Sequence, residues 1–256
     1  MPALVLVHGG QHAADCWDLT VDEIRRQAPD LTVLAVDLPG RRNKPGDLTT
    51  ATLAEWASSV VADIDDARLG EVVIVGHSMA GLTVPYVVAE LGAARVRELV
   101  LAAAFIPPDG TAMLDTFSGL FAFFARRNAR KGVPKKAPTA VAVYGFCNGM
   151  TPAQRRFNIE RFCPESTVIP VEKVDRSAMP FDVPRTWILT GRDRAHPLKA
   201  QRASIDAIGG VQHVIPVDTC HNLMVSEPER LAEILIERCR LSAGGPPADL
   251  CTEDDR

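Results

Sequence analysis

The sequence predicts an α/β fold, a single domain with a mostly parallel six-stranded sheet and helices on both faces. Three observations predict it. Apolar, β-branched runs of strand length recur along the chain with helical patterns between them, which is how βαβ units read. The composition is 46% hydrophobic, enough to fill a large core. The length, 256 residues, is ordinary for one α/β domain.

The elements follow in order. Leu4 to Val7 is the first strand, and Asp15 to Ala28 a helix with Asp15 as its expected N-cap. Leu31 to Val36 is the second strand, closed by Asp37-Leu38-Pro39-Gly40, and Leu53 to Ile64 the next helix. Val72 to Val75 is the third strand, followed by a helix from Ser78 to Leu91. Leu99 to Ala103, Thr186 to Leu189 and His213 to Val217 are the remaining strands. Glu227 to Cys239 closes as a helix, with Pro228 in the first turn, where its missing N–H leaves no bond unmade. Right-handed crossovers place helices on both faces, and ligands in such sheets bind at the carboxyl ends of the strands.

The strand rhythm stops between Ala104 and Pro184, a stretch too long for a plain loop. It reads as a mostly helical insertion, about 109–184, covering the strand ends of a core at about 1–108 and 185–240. Residues 242–256 are Gly/Pro-rich and acidic, the composition of a disordered tail.

A net charge of −4 and a pI near 5.9 provide no global field for nucleic acid or an anionic membrane. The basic cluster Arg126, Arg127, Arg130, Lys131, Lys135 and Lys136 reads as a solvated helix face and loop, with an anionic partner or substrate tail as the alternative. Six cysteines form no Cys-x-x-Cys pair, so neither a zinc site nor a disulfide scaffold is expected, and reduced thiols suit a cytoplasmic location. No basic leader precedes the strand-length run Ala3 to Val7, and no run approaches a membrane span.

The chemistry centres on Gly76-His77-Ser78-Met79-Ala80-Gly81. Gly-x-Ser-x-Gly between a strand and a helix is a nucleophile elbow, which strains the serine and lifts its hydroxyl above the sheet. A serine hydroxyl needs a base, and the base needs an orienting acceptor. His221, in the loop after the sixth strand, is the candidate base. Asp193, in the Gly-x-Asp loop after the fifth strand, is the candidate acid, favoured over Asp109; Asp218 reads as a loop cap. Oxyanion donors are expected at the Met79 N–H, on a helix N-terminus, and at the Gly10 N–H in His8-Gly9-Gly10-Gln11. Gln11, Phe105, Phe117, Phe121, Phe124 and Leu223 are the candidate substrate-binding residues; the phenylalanine stripe sits at helical spacing in the insertion.

These runs, with Ala103-Ala104-Phe105-Ile106-Pro107 and Cys220-His221-Asn222-Leu223-Met224, resemble the α/β-hydrolase superfamily. The similarity is to the compact branch that contains plant methylesterases and hydroxynitrile lyases. It implies the α/β-hydrolase fold with a short helical cap, a Ser78–Asp193–His221 triad, oxyanion donors at Gly10 and Met79, and no metal or organic cofactor. Lyases of this branch typically carry a lysine after the triad histidine, where this chain has the neutral Asn222, and a first-loop threonine that has no counterpart here. The expected function is therefore cleavage of a small carboxylic ester through an acyl-enzyme on Ser78. A hydroxynitrile lyase or carbon–carbon bond hydrolase on the same triad, and a small-molecule receptor without turnover, are the alternatives. The expected partner is a small ester-like molecule, not nucleic acid or a membrane, with monomer and homodimer both open.

Overall fold

A computed structural model of the chain describes residues 1–42, 44–117, 126, 127 and 129–243. Six strands form one sheet in the order β2-β1-β3-β4-β5-β6: β1 Ala3–Val7, β2 Val33–Val36, β3 Val72–His77, β4 Val96–Ala102, β5 Arg185–Thr190 and β6 His213–Val217. Every pairing is parallel. The expected sheet is thus present, with no antiparallel member.

Both faces are covered, which explains why the central strands are apolar throughout rather than alternating. On one face Val5, Val7, Ile74, Leu99, Leu101 and Trp187 pack with α2 (Leu53–Asp66) and α3 (Ala80–Leu91). On the other, Leu4, Leu6, Val73, Val75, Val100 and Ile188 meet α1 (Asp18–Gln27) and the C-terminal helix Pro228–Ser242. A capping box starts α2, with the Thr52 hydroxyl accepting from the Glu55 N–H and the Glu55 carboxylate from the Thr52 N–H.

The chain runs from β1 outward to β2 and then crosses back over β1 to β3. The order reverses between β1 and β3, and the crevice above such a switch point is where α/β sheets bind ligands. The loop with Gly9 and Gly10 leaves β1, and Ser78 leaves β3, so both open onto that crevice.

Several local expectations are corrected. Asp15 does not cap α1: it sits inside a 3₁₀ turn, Ala14–Trp17, that precedes the helix, and its carboxylate pairs with Arg42 at 2.6 Å. The helix expected from Ser78 begins at Ala80, because Ser78 has a φ of 54° that no right-handed helix contains. Among its described residues, the stretch 109–184 is less helical than expected. Its described elements include α4 (Thr139–Phe146), α5 (Pro152–Glu160) and the 3₁₀ turns Met113–Thr116 and Ile169–Val171, with single bridges at Ala112–Lys173 and Lys135–Glu165. Two unforeseen helices follow, α6 (Leu198–Ala207) and α7 (Leu223–Ser226), before the last one, α8 (Pro228–Ser242). Ser242 ends α8 rather than starting a tail, and residues 244–256 lie outside the described residues. Among the described residues, no helix is long and apolar enough to cross a membrane.

Candidate active site

Strand β3 delivers Ser78 at a turn whose geometry the neighbouring strand holds. The Ser78 N–H donates to the Ala102 carbonyl at 3.0 Å, and the Phe105 N–H donates to the Ser78 carbonyl at 2.8 Å. These bonds stabilise a left-handed backbone that costs a residue with a Cβ about 1–3 kcal/mol. The motif glycines sit where a Cβ has no room: at Gly81 it would lie 2.6 Å from the Phe105 carbonyl oxygen, and at Gly76 2.8 Å from a Val84 methyl. Gly9 lies against the serine itself, since a Cβ there would be 2.8 Å from that of Ser78.

Above the elbow three side chains form one hydrogen-bonded line. The Ser78 hydroxyl donates to His221 Nε2 at 2.7 Å, and His221 Nδ1–H donates to Asp193 Oδ2 at 2.6 Å. All three residues are buried. The His221 carbonyl accepts from His77 Nε2 at 2.9 Å, so the elbow histidine fixes the backbone of the base.

The carboxylate that meets His221 is that of Asp193; Asp109 pairs with Arg176 at 3.0 Å and Asp218 with Arg192 at 3.3 Å, both side chains well exposed. Asp193 accepts from the Ala195 and His196 N–H groups and from the Thr190 hydroxyl as well. Burial alone would raise its carboxyl. The charge on a protonated His221 and the hydrogen bonds from His221, the His196 amide and Thr190 outweigh burial and hold it below the ordinary carboxylate value.

The loop after β1 is positioned by two histidines. Leu38 N–H donates to His8 Nε2 at 3.2 Å, which leaves the proton on Nδ1 to donate to the Gly9 carbonyl at 2.8 Å. The Gly9–Gly10 peptide is trans, so His8 grips the side of that peptide opposite the Gly10 N–H. His12 Nδ1 donates to the Gly10 carbonyl at 2.9 Å, and its Nε2 accepts from Asn222 Nδ2 at 3.3 Å. Burial lowers His8 well below its ordinary value, with the nearby Arg41 charge adding to it, and brings His12 to about 4. Both rings are therefore neutral at pH 7. Neither the Gly10 nor the Met79 N–H meets an acceptor among the described residues.

The candidate substrate-binding residues separate in space. The Phe105 ring lies 6.1 Å from that of His221 and 5.6 Å from Phe117. Gln11 has a φ of 59°; its side-chain oxygen accepts from the Ala137 N–H and its carbonyl from the Cys163 N–H, so it ties the first loop to the 109–184 stretch. Leu223 is fully buried with Trp17, Met224 and Leu231 in the core on the α1/α8 face. Phe121 and Phe124 lie outside the described residues. Sequence reasoning missed Phe146, at the end of α4, whose ring is 5.4 Å from that of His221, and Phe162, 4.8 Å from His12. It also missed Asn158 of α5, which accepts from Asn222 at 2.9 Å. Their only signal was apolar or amide character in a segment without strand or helix periodicity. Among the described residues, no group of three or more His, Cys, Asp or Glu side chains is arranged to hold a metal ion.

Comparison with known proteins agrees with this architecture. A pyrethroid hydrolase of Sphingobium wenxiniae is 25% identical over 91% of this chain and 86% of its own length. A putative chloroplastic methylesterase of Arabidopsis thaliana, methylesterase 11, is 22% identical over 93% of this chain; this chain spans only 64% of that protein. An extracellular alpha/beta-hydrolase from a Paenibacillus species superposes with a TM-score of 0.82 at 22% identity, over 93% of this chain and 99% of that one. The family model of the alpha/beta hydrolases matches residues 4–234, and the chain belongs to the alpha/beta hydrolase family.

Proposed function

We propose that the protein is a serine hydrolase that cleaves a small carboxylic ester through an acyl-enzyme on Ser78. The observation that carries this reading is the hydrogen-bonded line from Ser78 through His221 to Asp193, at 2.7 and 2.6 Å, beside two N–H groups free to receive an oxyanion. Relatives named as a methylesterase and a pyrethroid hydrolase support the choice of bond. Asn222, neutral and bonded to Asn158 and His12, supports hydrolysis over the lyase chemistry that a cation at this position would assist.

His221 Nε2 takes the Ser78 proton as Oγ bonds to the ester carbonyl carbon. The carbonyl oxygen becomes an oxyanion that accepts from the Gly10 and Met79 N–H groups, worth about 10²–10³ in rate for each donor. Asp193 stabilises the imidazolium and holds its tautomer. The bond to the alkoxide then breaks, and His221 returns the proton to it, releasing the alcohol. Water attacks the acyl-enzyme, giving a proton to His221. The carbon–Oγ bond breaks, the proton goes back to Ser78, and the acid leaves. Phe105 and Phe146 beside His221 suit an apolar acyl or alcohol group, and residues 109–184 serve as the cap.

The expected outcome is hydrolysis of p-nitrophenyl acetate and labelling of Ser78 by a fluorophosphonate, with Ser78→Ala slower by about 10⁴-fold or more. Turnover that survives Ser78→Ala overturns the assignment.

A further inference from the structure

Glu165 places a carboxylate next to the first loop. Its Oε2 accepts from the Gln11 N–H at 2.5 Å, and a Cβ on Gly10 would lie 3.1 Å from the same oxygen. The side chain is mostly buried, and its other oxygen is taken by Arg41 and by the Ser166 N–H at 2.6 Å. Arg41 is fully buried: one guanidinium nitrogen donates to Glu165, another to the Pro164 carbonyl, and the group lies 5.5 Å over the Trp56 ring. A buried negative charge this close to Gly10 opposes an oxyanion forming there unless it is neutralised. Arg41 does so.

We propose that Glu165 and Arg41 form a positioning pair for the oxyanion loop, a proposal that rests on the ester-hydrolase reading. Glu165 holds the Gly10–Gln11 backbone by its carboxylate, and Arg41 both orients that carboxylate and cancels its charge beside the site of oxyanion formation. Gln11 adds two further ties, to Cys163 and Ala137, so Gln11 alone is held from the 109–184 stretch by three hydrogen bonds.

The test compares Glu165→Ala, Glu165→Gln, Arg41→Met and the double variant Arg41→Met/Glu165→Gln. Turnover of p-nitrophenyl acetate and hydrogen exchange of backbone amides 8–12 are measured in each. Glu165→Ala is expected to lower kcat about tenfold to a hundredfold, as a misplacement of about 1 Å would, and to speed exchange in the loop. KM is expected to change by no more than about twofold, since the lost interaction serves the transition state. Glu165→Gln, which keeps an acceptor, is expected to lose less. Arg41→Met, which strands the charge, is expected to lose more than Glu165→Ala, and the double variant to recover activity above Arg41→Met alone. A purely structural pair would instead change the fraction of folded protein, with kcat per folded molecule and loop exchange unchanged. Wild-type kcat in Glu165→Ala, or a double variant no better than Arg41→Met, overturns the proposal. Unchanged loop exchange in Glu165→Ala overturns it too. A wild-type protein without esterase activity, but with faster loop exchange in Glu165→Ala, overturns the ester reading while leaving the loop tie in place.

Discussion

At the scale of single residues, the missing Cβ of Gly81 governs how closely the elbow approaches β4. The atom that an added methyl would strike, 2.6 Å away, is a backbone oxygen, which has no rotamer to escape into. Gly81→Ala is therefore expected to destabilise the protein by about 1–3 kcal/mol and to slow turnover by shifting the Phe105 backbone that holds the Ser78 carbonyl. Gly76→Ala meets the methyl end of Val84 instead and is expected to cost less. Thermal unfolding of both variants checks the order, and equal losses would contradict it. The same local rigidity made Ser78, Asp193 and His221 legible as a set. Each lies in a short loop directly after a strand, so spacing alone brings it to the carboxyl edge. Phe146, Phe162 and Asn158 were not legible, because their approach to the histidines depends on how an irregular stretch folds back over the sheet.

At the scale of elements, α8 is fastened to β4 by a buried ion pair. Glu98 is almost fully buried and accepts from Arg238 Nε at 2.9 Å, from the Thr186 hydroxyl at 2.5 Å and from the Ser242 hydroxyl at 2.8 Å. Removing the cation strands a carboxylate, a loss of about 3–5 kcal/mol. Arg238→Met is expected to lower the unfolding free energy by that amount, and the urea midpoint with it, and Arg238→Met/Glu98→Met to recover part of it; a midpoint unchanged in Arg238→Met would show that the pair does not hold the helix. Elements whose buried face is apolar were readable in advance, as the α2 and α3 positions were. Helix α6 escaped because it buries Gln201 and Ser204. Gln201 donates to the Thr190 and His196 carbonyls, and Ser204 Oγ accepts from the Ile106 N–H, so the helix docks by hydrogen bonds that leave no hydrophobic period.

At the scale of the whole molecule, the buried histidines determine how it meets acid. His8, His12, His77 and His196 are all lowered from 6.5, first by burial, and His12 and His196 reach about 4. The unfolded chain binds protons at these rings below pH 6.5, whereas the folded one binds them at His12 and His196 only near 4 and at His8 and His77 only well below 6.5. Stability therefore falls as pH drops through that window, by about 1.4 kcal/mol per pH unit for each ring. Asp193 acts in the same sense: its lowered carboxyl contributes stability above the usual carboxylate range, and that contribution is lost as pH falls through its folded value. Urea midpoints measured from pH 7 to pH 5 are expected to fall, and a flat profile would mean that the rings are not held neutral. The parallel sheet itself was legible because two periods, strand and helix, alternate regularly outside 104–184. The all-parallel order and its reversal between β1 and β3 were not, since register is a property of the assembled sheet.

The tie between Arg41 and Glu165 joins residues 124 positions apart, one after β2 and the other within the 109–184 stretch. A chimera that grafts onto this core a stretch with no carboxylate at position 165 would leave Arg41 without its partner. Exchange of that stretch is thus conditional on a matching residue outside it, and recombination within the family would have to carry the two positions together.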